Sequence, residues 1–416
     1  MISSAQPQFR RPTLAGISLF CVLAFCCLVD SPIKLRYVGT SGLGIGTFAI
    51  AGAMWAIFFL RPVLPRHVLQ CILFLLFFQL YDASTMLWAS TGMDGIQLLT
   101  VGIAFLGLMV VCARETSLDP RAGHQIARML LATSVISVLL YWWIIYSDKK
   151  LGGAADDLIA PRSFALFALI VVAVALSRWR GRHHSKVAAF VPLAWAVIVT
   201  FTVALSMSRT ALVSCAALFP LSIFLRLDKK SFALGTAVLL IGGAMFVTAI
   251  FSYQPLYDRF FAFDASMKVG GVAFNASGRT QIWDLLLRNV RDDWPFGKGV
   301  ASSEILVRNH FNKKGYEIAQ PHNDYLRFYY DTGVVGLGLW LIFASGFFIR
   351  TFSNLRRSIR NQSDDYPLHV AALLAFAAVS WSMLTDNSVC YSFVMMPLAI
   401  VMGCSLGAEG FSRMRT

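Results

Sequence analysis

The sequence predicts an all-α polytopic membrane protein, and three observations carry that expectation. Of its 416 residues, 57% are apolar and 14% charged, with a mean hydropathy of +0.64. Soluble domains run nearer about 25% charged and about 45–50% apolar. The apolar residues also come in long unbroken blocks joined by short polar stretches. Finally, a soluble core stops growing at roughly 250–300 residues, so this much continuous apolar sequence needs lipid around it. A disordered chain, a coiled coil and an ordinary cytosolic enzyme are excluded on the same grounds.

A bilayer core of about 30 Å is crossed by about 20 helical residues. On that measure the chain reads as about twelve spans, at roughly 12–29, 38–60, 67–81, 96–113, 129–146, 164–176, 187–206, 210–225, 231–252, 333–349, 368–384 and 393–408. The first block lacks a small-residue cleavage site before the next one, so it is expected to be a retained span rather than a signal peptide.

An even number of spans puts both termini on one side. The loops sharing that side carry most of the basic residues, among them Arg61, Arg66, Arg114, Arg121, Arg128, Arg178, Lys229, Lys230, Arg356 and Arg357. The short loops opposite carry Lys34, Arg36, Lys149, Lys150, Arg162 and Arg209. The positive-inside rule therefore predicts cytoplasmic termini. The formal net charge of +14 resides on the cytoplasmic side and records topology. It is no footprint for nucleic acid, and none is expected as a partner. Of the eight cysteines, all but Cys390 lie inside apolar spans. No CxxC or HExxH spacing appears, so neither a disulfide framework nor a metal site is implied, and no cofactor is expected.

The expected organisation is therefore spans one to nine over residues 1–252, a periplasmic loop over 253–332, and spans ten to twelve with a cytoplasmic tail over 333–416. A loop this long is expected to be functional or a small domain. Within it, Ser277-Gly278-Arg279-Thr280-Gln281-Ile282-Trp283 predicts a helix start with Ser277 as N-cap, and Ile282, Leu285, Leu286 and Val290 recur on one face. Trp294-Pro295-Phe296-Gly297 is expected to stop it. An amphipathic helix lying on the bilayer is the alternative use of that segment.

Further on, Gln320-Pro321-His322-Asn323-Asp324 leads through Tyr330-Asp331-Thr332-Gly333 into the tenth span. Pro321 suits the first turn of a helix, which would set His322 near a helix N-terminus. The positive dipole end there disfavours imidazolium, and a neutral imidazole can accept a hydroxyl proton. The simpler alternative is a loop histidine that hydrogen-bonds backbone. Arg209, in Ser206-Met207-Ser208-Arg209-Thr210, sits between two apolar blocks with almost no loop around it. A charge at membrane depth costs roughly 2.5–3.5 kcal/mol on insertion scales, so it faces a partner, a cavity, or by snorkelling the headgroups. Two arginines and a neutral histidine beside lipid suit transfer from a diphosphate, since guanidinium groups match phosphate oxygens and stabilise a growing negative charge. No DxD pair lies on the outer face, and neither Asp156-Asp157 nor Asp292-Asp293 has the context of a metal site. Metal-independent chemistry is expected.

The motifs then carry a resemblance. His322-Asn323, nine residues from Asp324 to Thr332, and Gly333-Val334-Val335-Gly336 resemble the pattern of the O-antigen ligase and O-antigen polymerase superfamily of bacterial membrane glycosyltransferases. Ser208-Arg209-Thr210 and Gly278-Arg279-Thr280 with Trp283 are similar to the two arginine sites of that superfamily. The resemblance implies His322 as base, with Arg209 and Arg279 as diphosphate ligands. It implies an undecaprenyl-diphosphate-linked glycan as donor, and lipid A-core or a second lipid-linked glycan as acceptor. The setting it implies is the bacterial inner membrane, in lipopolysaccharide or exopolysaccharide assembly, with membrane lipids and a chain-length regulator as candidate partners. Arg162, in Ala160-Pro161-Arg162-Ser163, occupies the place of a further basic residue of the superfamily, but the Asn-Pro-Asn-like run that accompanies it there is absent. Asn323, Asp324, Arg288 and His310 are the remaining candidates for contact with substrate. A lipid-linked-glycan flippase is the alternative from another class, although no internal repeat or midplane charge of the transporter kind is legible.

Overall fold

The computed structural model describes residues 14–28, 39–151, 161–179, 181, 186–261, 267–269, 272–274, 278–290, 295–313 and 320–413. The helices are α1 (Leu14–Leu28), α2 (Gly39–Leu60), α3 (Arg66–Ser84), α4 (Met93–Leu118), α5 (Pro120–Leu151), α6 (Pro161–Trp179), α7 (Lys186–Leu205), α8 (Arg209–Phe224), α9 (Lys229–Ser252) and α10 (Gln254–Phe261). After them come α11 (Arg279–Asn289), α12 (Ser302–Asn312), α13 (Asp324–Arg360), α14 (Tyr366–Ser382) and α15 (Ser392–Arg413). Each of the twelve apolar blocks read from the sequence lies on one of these helices. The departure from an all-helical chain is a short hairpin, β1 (Met267–Val269) and β2 (Val272–Phe274), paired antiparallel with Met267 opposite Phe274.

Among the described residues, five helical stretches are long and apolar enough to cross a membrane: Arg66–Leu87, Met93–Leu118, Arg121–Trp143, Lys229–Ser252 and Asp324–Arg360. Shorter apolar helices, such as Phe164–Trp179, Tyr366–Ser382 and Ser392–Ala408, stand beside them. A helix that is apolar all round is either enclosed by other helices or bathed in lipid, and both kinds occur. Helix α6 is enclosed, with Ala165 through Leu176 buried, and it packs against α14 and α7. Helix α9 is the opposite case: Leu240 and Ile241 are 67% and 63% exposed, on a helix that touches α8 and α10. Such a surface in water would lose about 1.5–3 kcal/mol per large side chain, so these faces belong against acyl chains. Between helices in lipid, close packing replaces hydrophobic transfer as the cohesive force. Accordingly α15 lies along α4 with Gly403 and Gly407 against the backbone of Met109 and Ala113.

Several polar groups inside the bundle are paired in ways that end helices or fix their contacts. Arg114 donates from Nη1 to the carbonyls of Ile57 (2.8 Å), Phe58 (3.2 Å) and Arg61 (3.2 Å), collecting the orphan acceptors where α2 stops. His369 Nδ1 meets Ser405 Oγ at 2.9 Å between α14 and α15. Among the described residues, Cys21, Cys26, Cys71, Cys112, Cys215, Cys390 and Cys404 are free thiols.

The segment between α9 and α13 docks onto the helix ends rather than standing apart. Tyr81 Oη donates to Phe296 O (3.0 Å), Trp88 Nε1 to Gly297 O (3.3 Å), and Val300 N to Thr85 Oγ1 (2.9 Å). Arg308 on α12 pairs with Asp94 at the start of α4 at 3.0 Å. Helices α11 and α12 share a small core of Ile282, Leu286, Val290, Val307 and Phe311, closed by Tyr330 of α13.

Three local expectations are corrected. Helix α11 is capped by Gly278 at φ 72°, while Ser277 lies outside the described residues. It ends at Asn289, before the Pro295-Phe296-Gly297 stop. Pro321 and His322 precede α13 instead of opening it, because Asn323 takes the N-cap position and accepts from Leu326 N at 2.9 Å. The pairs Asp156-Asp157 and Asp292-Asp293, together with Trp294, also lie outside the described residues.

Candidate functional site

The GxxG of the motif has a backbone cause. Gly333 adopts φ 65° and ψ −166° inside α13, dividing it into a short entry helix and a long one. Any side chain there would meet Pro295 O at 2.4 Å, and one at Gly297 would meet Asp331 O at 2.4 Å. The two glycines let loop and helix backbones touch, and Val335 N, freed by the break, donates to Pro295 O at 3.2 Å. Asp331 then accepts from Ser303 N (2.7 Å) and Ala301 N (3.1 Å), capping α12. Arg327, 2% exposed, pairs with Glu304 of α12 and also donates to Gln320. The entry helix 324–332 is thereby locked to the loop that covers it.

These braces set the position of His322. Trp283 Nε1 of α11 donates to Pro321 O at 3.1 Å, so the helix that begins at Arg279 is tied to the residue before the histidine. On the other side lies the turn between α14 and α15. Asn387 Oδ1 accepts the backbone N–H of His322 at 2.7 Å, while Asn387 Nδ2 meets His322 Nδ1 at 2.8 Å. Asp386 Oδ1 stands 3.9 Å from the same ring nitrogen. His322 itself has φ 54°, a left-handed conformation costly for a residue with a Cβ. The clamp from Asn387, which is fully buried, holds it there.

Electrostatics draws Arg279 into the same group. Burial alone would raise the Asp386 carboxyl, which is 2% exposed. The His322 ring, 3.9 Å from its Oδ1, and the positive charge of Arg279 outweigh it, and the carboxyl is held below the ordinary carboxylate range. Arg209 opens α8 near this cluster. It follows a tight turn at Met207 (φ 53°), and its neighbour Thr210 shares a 2.9 Å hydroxyl contact with Thr385, the residue before Asp386. Arg279, His322 and Asp386, from three separate stretches of chain, thus meet at the end of the bundle that bears the long loop, and the start of α8 at Arg209 lies beside them through the Thr210–Thr385 contact.

The remaining candidates are placed differently. The side chain of Asn323 is used as the α13 cap. Asp324 is fully buried, accepts from Val389 N at 3.1 Å, and faces Arg327 at 3.7 Å. Arg288 is on the exposed face of α11, paired with Asp284 at 2.7 Å, nine residues or roughly 13 Å along the helix from Arg279. His310 is in the last turn of α12 with its ring edge-on to Phe311. Arg162 is in the first turn of α6, and its side chain lies outside the described residues. Sequence reasoning missed Asp386 and Asn387. The signal that exposed Arg209 was present there too, a polar group in a short joint between two apolar blocks.

Helices of this kind point to a multi-pass membrane protein, and the polar cluster at one end of the bundle is its candidate site. Residues 194–341 match the family model described as O-Antigen ligase, a range that contains Arg209, Arg279 and His322. The match shows that the resemblance carried by the motifs is to the O-antigen ligase and polymerase superfamily, whose members are glycosyltransferase-like membrane enzymes. It supports a ligase- or polymerase-type function in general. No curated protein matches the chain.

Proposed function

We propose that the protein is an inverting, metal-independent glycosyltransferase that moves a glycan from undecaprenyl diphosphate to an acceptor sugar hydroxyl. The transfer takes place at the periplasmic face of the bacterial inner membrane, in lipopolysaccharide or surface polysaccharide assembly. The observation that carries this reading is the convergence of Arg279 on the His322–Asp386 pair, beside the start of α8 at Arg209.

In this reading the acceptor oxygen attacks the anomeric carbon from the side opposite the diphosphate. The carbon–oxygen bond to the diphosphate breaks, and the hydroxyl proton passes to His322. Asp386 stabilises the imidazolium that results. Arg279 and Arg209 stabilise the charge that builds on the departing diphosphate, where a planar guanidinium is better matched than an ammonium. The basic bias of the loops on the other side of the bundle supports an outward site, and a donor held in the membrane by its polyprenyl chain would reach it at the interface.

The acceptor is settled by reconstituting the purified protein in liposomes with lipid-linked repeat units, with and without lipid A-core. Chain growth from repeat units alone identifies a polymerase. Transfer that waits for lipid A-core identifies a ligase. Absence of covalent transfer in both mixtures contradicts the proposal.

A further inference from the structure

The contacts of Asn387 also assign a proton on His322, and the functional meaning of that assignment rests on the reading above. A carboxamide has one acceptor end and one donor end. The backbone N–H of His322 is an obligate donor, and the Asn387 atom 2.7 Å from it must therefore be the oxygen. Turning the amide over would set its NH2 against that N–H. The NH2 consequently faces His322 Nδ1 at 2.8 Å, and a hydrogen bond forms there when Nδ1 presents a lone pair. A proton on Nδ1 would set two donors, the ring N–H and the Asn387 NH2, against each other. The acceptor that such a proton needs, Asp386 Oδ1, is 3.9 Å away.

We propose that Asn387 is a positioning residue that holds the resting, neutral His322 ring as the tautomer with a bare Nδ1 and a proton on Nε2. In that state His322 offers a proton rather than a lone pair at Nε2. Base action at Nε2 then requires that Nε2 release its proton to water and that Nδ1 take one up from water. The ring turns from the Asn387 amide toward the Asp386 carboxylate in the same step. The site thus has a resting and a base-competent form, separated by a choice between two adjacent residues of one turn.

The experiment is nitrogen-15 NMR of the full-length protein in lipid nanodiscs with labelled histidine. The His322 signals are identified among the seven histidines by their loss in His322→Gln. In wild type at a pH where the ring is neutral, Nε2 carries the proton. In Asn387→Asp the backbone N–H keeps an acceptor while the second oxygen now accepts from the ring, and the proton moves to Nδ1. A wild-type ring protonated at Nδ1 overturns the inference, whether or not the variant folds. So does an unchanged His322 spectrum in Asn387→Asp. Because the spectrum reports the tautomer without substrate, it is independent of the transfer assay: a ring found in the expected tautomer in a protein that transfers no glycan would sink the glycosyltransferase reading and leave the tautomer assignment standing.

Discussion

Asn387 holds His322 at both ends, accepting its backbone N–H at 2.7 Å and meeting its ring Nδ1 at 2.8 Å. The histidine sits in a left-handed conformation that is unfavourable by itself. A side chain held in this way has one defined resting orientation, from which the turn toward Asp386 gives the form that takes a proton.

His322→Ala and Arg279→Ala are expected to abolish glycan transfer while leaving expression and membrane insertion intact. Neither side chain belongs to the small core that holds α11 and α12. Arg279→Lys keeps the charge and loses the planar fork, so it is expected to retain a small residue of the wild-type rate. Transfer rates per inserted molecule check all three, and full activity in either alanine variant would sink the assignment.

Asp386 sets the pH response of its neighbour. Its own carboxyl is held below the ordinary range by the neighbouring His322 ring and Arg279 against the effect of burial. It therefore stays ionised at neutral pH, and the stability it contributes is lost when pH falls through that lowered value. The acid limb of the transfer rate is expected to come from protonation of the imidazole, which removes the base. A carboxylate favours imidazolium, so Asp386→Asn moves that limb to lower pH as well as lowering the maximum. A pH profile of the variant with its limb unmoved would separate Asp386 from His322.

Gly333→Ala tests the joint between loop and helix. The added carbon would meet Pro295 O at 2.4 Å on a backbone at φ 65°, and the left-handed conformation alone costs on the order of 1–3 kcal/mol. A clearly lowered melting temperature is expected, with transfer lost in proportion. The same substitution at Gly338, where a Cβ meets nothing within 4 Å, is the matched control and is expected to be nearly neutral.

Arg327→Met leaves Glu304 and Asp324 without their buried cation. Removing one member of a buried ion pair costs about 3–5 kcal/mol, and Glu304 is on α12, which packs against α11 and α13. Thermal unfolding in detergent is expected to show that loss, and Arg327→Met with Glu304→Leu is expected to recover part of it.

Much of the helix plan was legible because a bilayer imposes it: apolar blocks long enough to cross lipid must be helices. The small elements were less legible, since their placement depends on single contacts. The start of α11 turns on Gly278 being left-handed, and that of α13 on the Asn323 cap. His322, Arg279 and Arg209 stood out as polar groups in telling positions, yet nothing local in the sequence joins them to residues 385–387. That part of the site is assembled by the packing of α13 against α14 and by the hydrogen bond of Asp324 N to Met383 O at 2.8 Å. Asn323 looked like a substrate ligand for the same reason that it is a good cap: a short amide just before a helix.

The central claim is that this cluster transfers glycan covalently. Its most direct test follows undecaprenyl diphosphate release and glycan on the acceptor together, in liposomes holding wild type or His322→Ala. The account predicts that wild type yields the two products in equal amounts and that the variant yields neither. Glycan that crosses the bilayer still attached to its lipid, or equal transfer by the His322→Ala variant, would contradict it.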